Sequence, residues 1–209
     1  MRVTAPRTIT TVRHSTTAHN AVQIISGRLD EPLSDIGRAL AHRMVAEVGH
    51  LAADHVVSSP MRRALETAVI LTRLDADDVM TDPLCVERDY GVLQGLEPAE
   101  VVRYADRVRY LRVGGIDHSL NPPGGESFEE VRERAERFLA GVHALPVGSV
   151  LIVAHQVFLQ QVHGILVGLD VHACLALDVR ALQIDRFDVG ADCTRHTTEF
   201  PGMGTDASW

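Results

Sequence analysis

The chain has 209 residues, 45% of them apolar, with a formal charge of −8, enough material for one domain around a substantial core. That acidic balance excludes a general nucleic-acid binder, whose affinity comes largely from basic side chains that neutralise phosphates, so any anion site has to be local. All 20 cationic side chains are arginine. This excludes a P-loop ammonium, a Schiff base to pyridoxal phosphate and lysine aldolase chemistry, and leaves the guanidinium fork, which suits phosphate oxygens.

The first predicted element is a strand, Thr8-Ile9-Thr10-Thr11-Val12, that ends on Arg13-His14. A polar loop follows to Pro32. Ser34 is placed to cap a helix reaching about Leu51, with Ile36, Leu40, Met44, Val45 and Val48 spaced for one buried face. His55-Val56-Val57-Ser58 reads as a short strand, and Ser59-Pro60 as the start of a helix to about Leu74. A third strand is expected near Val79. Pro98 then opens a predicted helix rich in arginine (Arg103, Arg107, Arg109, Arg112) that Gly114 and Gly115 end. After the turn cluster Asn121-Pro122-Pro123-Gly124-Gly125, Ser127 and Glu130 have capping-box spacing for a helix to about Leu145, with Val131, Ala135, Phe138, Leu139 and Val142 facing the core. A second apolar strand, Ser149-Val150-Leu151-Ile152-Val153-Ala154, ends on His155 and leads into a helix to about Leu169. Residues 180–185 and 193–200 read as a closing hairpin, and 201–209 as a flexible tail.

Alternating strands and helices, without a repeat or linker, imply a single domain over residues 1–209 of the α/β class, three layers (α/β/α) around a mainly parallel sheet. Whatever follows the carboxyl ends of such strands shares one crevice, so His14 and His155 are expected to meet. Cys85, Cys174 and Cys193 are odd in number and widely spaced, which suits buried thiols in a reducing compartment. With no signal-peptide core and no membrane-length apolar run, the expected location is the cytoplasm, with neither membrane nor nucleic acid as partner. A homodimer is the commonest assembly for such domains.

Taken together, these segments resemble the histidine phosphatase superfamily, with its phosphoglycerate mutase-like fold, from about Thr8 to Asp185. The family pattern Arg-His-Gly-x-Thr-x-x-Asn stands here as Arg13-His14-Ser15-Thr16-Thr17-Ala18-His19-Asn20, followed by Gly27-Arg28-Leu29-Asp30-Glu31-Pro32-Leu33-Ser34-Asp35-Ile36-Gly37. Ser58-Ser59-Pro60-Met61-Arg62-Arg63-Ala64, Glu87-Arg88-Asp89-Tyr90-Gly91 and Pro122-Pro123-Gly124-Gly125-Glu126-Ser127 come next in family order, before Val153-Ala154-His155. The resemblance implies that His14 is the nucleophile, that Arg13, Arg63 and His155 surround the phosphoryl group, that Asn20 helps hold it and that Glu87 is the proton donor. In the mutase branch the positions matching Arg88 and Tyr90 hold substrate, so both are candidate contacts, although a loop arginine and a packed tyrosine are ordinary in any domain. Four places depart from the pattern: Ser15 for glycine, Thr16 for an acidic or amide residue, Gln156 for a small residue, and Leu93-Gln94 for Trp-Glu. Ser15 and Gln156 are expected to reshape the phosphate pocket.

The chemistry is consistent with those assignments. A neutral imidazole is a competent nucleophile, and neighbouring guanidiniums disfavour its protonation. The same cations neutralise the equatorial oxygens during transfer, so neither a metal nor a cofactor is needed in principle. Arg62 and Arg63 lie about 100° apart around a helix, so only one can point into the site; the Ser-Pro-x-x-Arg-Ala register selects Arg63 and leaves Arg62 to solvent. Arg103 and Arg107, four apart, could form a basic lid, against the commoner reading of a solvated charged face. The remaining histidines, His19, His42, His50, His55, His118, His143, His163, His172 and His196, read as surface or capping residues. The leading function is a metal-independent phosphomonoesterase acting on a small anionic phosphate ester through a phosphohistidine. The alternatives are a bisphosphoglycerate-dependent phosphoglycerate mutase, favoured by the 87–91 block but opposed by the short stretch from Glu87 to Glu126, and a non-catalytic phospho-ligand binder, opposed by the intact histidine pair and Glu87.

Overall fold

Residues 8–190 and 194–200 are described by a computed structural model. At its centre β6 (Ser149–Ala154) lies between β1 (Thr8–Arg13) and β2 (His55–Ser58), parallel to both, and β3 (Met80–Thr81) extends the sheet beside β2. On the other side β7 (Ile184–Val189) runs antiparallel to β1 and β8 (Thr194–Glu199) antiparallel to β7. The sheet order is therefore β3-β2-β6-β1-β7-β8, mainly parallel.

The continuous apolar run of β6 follows from its central place. Successive side chains of a strand point to opposite faces. Val150, Ile152 and Ala154 pack with Ile9 against α5 (Phe128–His143) and α6 (Gln156–Val167), while Leu151 and Val153 pack with Val12 against α2 (Asp35–Val48) and α3 (Arg62–Thr72). Both faces are covered, so polar alternation would cost buried, unpaired groups. The expected caps of two helices are present: Ser34 accepts from the Gly37 amide, and Ser127 and Glu130 form a reciprocal box ahead of α5. All five residues expected on the inner face of α5 are buried.

Four sequence expectations are corrected. On α2, Met44 is buried and Leu40 and Val45 pack against the core as expected, but Ile36 and Val48 are 69% and 43% exposed and the rest of the buried face is Gly37 and Ala41. A Cβ on Gly37 would stand 1.9 Å from the Thr16 carbonyl oxygen, so this helix approaches the loop after β1 through its small residues, which a hydrophobicity pattern cannot register. The arginine-rich helix is not formed: α4 (Pro98–Val101) is one turn, and Arg109 and Arg112 belong instead to a hairpin region containing β4 (Tyr110–Val113) and β5 (Ile116–Ser119). Gly114 and Gly115 both have positive φ, +57° and +84°, as a tight two-residue hairpin turn requires, and Leu111 and Val113 alternate inward against the core. The lid formed by Arg103 and Arg107 on one helical face goes with it; Arg103 pairs with Glu100. The closing strand starts four residues later than expected, because Leu182, at φ +59°, first donates its amide to the Arg13 carbonyl. His163 is buried, not at the surface, with Nε2 2.7 Å from Thr11 Oγ1.

Cys85 and Cys174 are buried free thiols, and burial pushes the Cys85 thiol up to about 12. Cys193 and the 201–209 tail lie outside the described residues. No helix among the described residues is long and apolar enough to cross a membrane.

Candidate active site

Strand register assembles the site. Arg13 and Ala154 are direct partners across β1 and β6, so His14 and His155, each one residue further on, are neighbours, and the His14 amide donates to the Ala154 carbonyl at 2.9 Å. Ser58 pairs with Val153 in the same way, and the Ser59 amide donates to Val153 at 3.0 Å, bringing Ser59 Oγ within 2.8 Å of His155 Nε2. Three strand ends thus deliver two imidazoles and a hydroxyl to one spot. The two rings meet edge-on with centroids 5.1 Å apart.

The hydrogen bonds of His14 fix its tautomer. Nδ1 lies 2.6 Å from the Ser15 carbonyl, which can only accept, so Nδ1 carries the proton and Nε2 keeps its lone pair. Arg63 Nε donates to that Nε2 at 3.2 Å. Burial, then the charges of Arg63 and Arg13, hold the His14 pKa well below the usual imidazole range, and the carbonyl of Ser15 opposes them only in part. His155 is likewise held well below that range by burial, then by His14, Arg63 and Arg13. Both rings are neutral at neutral pH.

Arg63 is the buried member of the Arg62-Arg63 pair and Arg62 is exposed. Its Nη1 and Nη2 donate to the carbonyls of Leu29 and Gly27, both at 2.7 Å, so the loop between α1 (Ala18–Ala21) and α2 holds the guanidinium in place. Gly27 sits at φ +49°, and a Cβ there would overlap the Gln94 side chain. Arg13 Nη1 donates to the Val179 carbonyl at 2.9 Å, while its buried Nε and the buried Nδ1 of His155 have no partner among the described residues. The Glu87 carboxylate sits at the start of α6 and accepts from the amides of Arg88 (2.8 Å), Phe158 (3.3 Å) and Val157 (3.4 Å). A cavity of about 120 Å³ opens over this group, lined by Arg13, His14, Asn20, Arg63, Glu87, Tyr90, Gln156 and the loop residues Ile25 to Gly27. No set of three His, Cys, Asp or Glu side chains placed to hold a metal ion is present among the described residues.

The model of the histidine phosphatase superfamily, branch 1, matches residues 9–198. The chain belongs to this superfamily. A Yersinia pestis protein bearing the name probable phosphoglycerate mutase GpmB is 32% identical over 178 residues, covering 85% of this chain and 82% of the relative. Among solved structures, the mycobacterial glucosyl-3-phosphoglycerate phosphatase is 27% identical with a TM-score of 0.74, covering 95% of this chain and all (100%) of that one. The α-ribazole phosphatase of Shigella flexneri shares the fold at 20% identity and a TM-score of 0.74, covering 94% of this chain and 96% of that one.

Of the positions carried over from the family pattern, Arg13, His14, Asn20, Arg63, Glu87 and Tyr90 line one cavity, and His155 lies directly against His14. Burial, then the charge of Glu87, pushes the Tyr90 phenol up to about 12. Arg88 is not brought to the cavity. It is fully buried, its guanidinium carbon stands 3.8 Å from the Phe128 ring centre, and its Nε donates to the Glu126 carbonyl at 2.9 Å. Its donors go to the Glu126 and Leu120 carbonyls and to the side chain of the cavity-lining Tyr90, and its face lies on an aromatic ring, so it braces the loop from behind Tyr90. Ser15 also departs from expectation: it does not line the cavity, and its hydroxyl donates to the Gly37 carbonyl at 2.7 Å. Gln156 does line the cavity. Sequence reasoning missed Ser59, read as part of a helix start; its place one residue past β2, in register with His155, was the available signal.

Proposed function

We propose that this chain is a phosphomonoesterase that works through a phosphohistidine on His14. The observation that carries the reading is the buried, neutral His14, its proton fixed on Nδ1 by Ser15 and its unprotonated Nε2 accepting from Arg63 Nε at 3.2 Å. Such a ring is poised to give up a lone pair without first losing a proton.

An entering phosphoryl group takes over the Arg63 Nε donor, and two guanidiniums, Arg13 and Arg63, offset the charge of its oxygens. Asn20, whose Oδ1 is engaged by the Thr17 amide, offers its Nδ2, and with Ser59 Oγ donating to His155 Nε2 the buried Nδ1 of that ring is a further donor. Nε2 attacks phosphorus in line and the P–O bond to the organic group breaks. Its electron pair goes to the departing oxygen, which takes a proton from Glu87. Glu87 then takes a proton from water as that water attacks phosphorus. The P–N bond breaks, its electron pair returns to Nε2, and phosphate leaves. These arginines supply the charge that a metal ion would otherwise bring, so activity is expected with a chelator present.

A mutase reading is favoured by the Yersinia relative's name. It is disfavoured by Arg88, which is stacked under the site and not available to a second anionic group. One assay separates the readings: purified protein, chelator, p-nitrophenyl phosphate and a panel of metabolite phosphates, scored for phosphate release and for 2- to 3-phosphoglycerate exchange. Release without exchange supports the phosphatase, exchange supports the mutase, and binding with neither supports a ligand-binding protein.

A further inference from the structure

Glu87 belongs to a stretch, residues 86–90, that forms neither helix nor strand. Outside the stretch's own turn, one backbone bond, from the Glu126 amide to the Asp89 carbonyl at 2.9 Å, pairs it with a neighbouring segment, and two of the three amides that touch the Glu87 carboxylate do so at 3.3 and 3.4 Å. Two arginines hold its backbone: Arg28, from the cavity loop, donates Nε to the Glu87 carbonyl at 3.3 Å, and a second grips the stretch from behind. Arg134, on α5 and nearly fully buried, donates Nη1 to the carbonyls of Leu84 (2.6 Å) and Val86 (2.7 Å), and Nη2 reaches the Glu87 carbonyl at 3.5 Å. The same guanidinium forks onto Glu126, Nε to Oε1 at 3.1 Å and Nη2 to Oε2 at 3.0 Å. Glu126 also accepts from the Asp89 amide at 3.0 Å and from Arg28 Nη2 at 2.7 Å. Backbone on both sides of Glu87 is thus tied to one bidentate ion pair, and Arg28 joins the cavity loop to it.

We infer that the Arg134–Glu126 pair is the positioning element for Glu87, setting the backbone from which its carboxyl reaches the departing oxygen. This rests on the reading of Glu87 as proton donor. Arg134 touches neither the cavity nor the reacting atoms, so its effect is on geometry, and geometry is demanding: a misplacement of about 1 Å can cost on the order of 10²-fold in rate. Burial works against a charged Glu126. The hydrogen bonds from Arg134 and the Asp89 amide, with the charges of Arg134 and Arg28, outweigh it and hold its pKa below the ordinary carboxylate range.

A residue that only stabilised the fold would lower activity towards every substrate alike. A positioning residue for a proton donor does not. An alkyl phosphate expels a strongly basic alkoxide and needs the proton, whereas p-nitrophenyl phosphate expels a stable phenolate and does not. The experiment compares kcat/KM, which covers the steps up to leaving-group departure, for glycerol phosphate and p-nitrophenyl phosphate in wild type, Glu126→Gln, Arg134→Lys and Glu87→Gln. Glutamine keeps the shape of Glu126 and loses half the fork; lysine keeps the charge of Arg134 and cannot reach both carbonyls and Glu126. The expected result is that all three variants lose at least about tenfold on the alkyl ester and less than about threefold on p-nitrophenyl phosphate, with Glu87→Gln the most selective. If Glu87→Gln is selective while Glu126→Gln and Arg134→Lys lose equally on both esters or on neither, the positioning role is overturned and the proton donor stands. If Glu87→Gln is not selective, both fall. Should Arg134→Lys fail to fold, Glu126→Gln decides the question alone.

Discussion

Arg63→Met removes a guanidinium with two separable duties. Methionine is unbranched and of comparable reach, so α3 keeps its packing while the charge and the donors are lost. In the proposed reaction the first duty is charge stabilisation of the phosphoryl group, and removing one such preorganised donor typically costs about 10²- to 10³-fold in kcat. The second is electrostatic: after burial, Arg63 is the largest cause of the low His14 pKa. Without that charge the His14 pKa rises, the ring protonates more readily, and the acid limb of the kcat/KM profile moves to higher pH. A pH profile of p-nitrophenyl phosphate hydrolysis reads both effects, the first as a drop on the plateau and the second as displacement of the limb. Loss of donors to the Gly27 and Leu29 carbonyls also destabilises the loop, on the order of 1–3 kcal/mol for each acceptor left buried and unpaired, so a thermal melt must accompany the kinetics. Arg63→Lys separates charge from shape: a large plateau loss is expected with the acid limb near that of wild type. Activity of Arg63→Met within tenfold of wild type, with an unmoved acid limb, would refute the reasoning.

Two further outcomes follow from buried groups. Burial depresses His163 to about 4, against about 6.5 for an unfolded chain. A depressed histidine leaves stability intact above the unfolded pKa and removes it as pH falls, because the unfolded state then takes the proton that the folded state refuses. Between pH 7 and pH 5 that amounts to about 2 kcal/mol, so urea unfolding of wild type and His163→Gln should show the wild type losing about that much more over the interval; parallel loss in both would contradict the assignment. Ser15→Gly removes a buried hydroxyl bond to Gly37 and adds backbone freedom, so about 1–2 kcal/mol of stability should be lost with kcat/KM unchanged within twofold; a kinetic effect without a stability effect would show that Ser15 acts in the pocket.

What was legible in the sequence is what local chemistry determines. The β6 run had to be a strand covered on both faces, Ser34 and Ser127 had to cap helices, and the Arg13-His14 and His155 strand ends had to converge once the sheet was parallel. What was not legible depended on partners distant in sequence. Gly37 lies on the inner face because the Thr16 carbonyl occupies the space a larger residue would need. Arginines 103 to 112 suit a helix, but two glycines at positive φ and the inward side chains of Leu111 and Val113 favour a hairpin. Arg88 lies beside Glu87 in sequence, yet the Phe128 ring and the Glu126 carbonyl, both nearly forty residues further on, turn it out of the cavity. The Arg134 clamp was unreadable for the same reason, since its acceptors are backbone carbonyls, which carry no sequence signature.

The central claim is that His14 Nε2 carries phosphorus during turnover. Rapid acid-free quenching of the enzyme mixed with a ³²P-labelled substrate, followed by peptide mapping, tests it most directly. The expected label is stable in alkali, lost in acid, confined to the peptide containing His14 and absent from His14→Ala, which should also release no phosphate above background. Steady hydrolysis with no trapped adduct, or full phosphate release by His14→Ala, would contradict it.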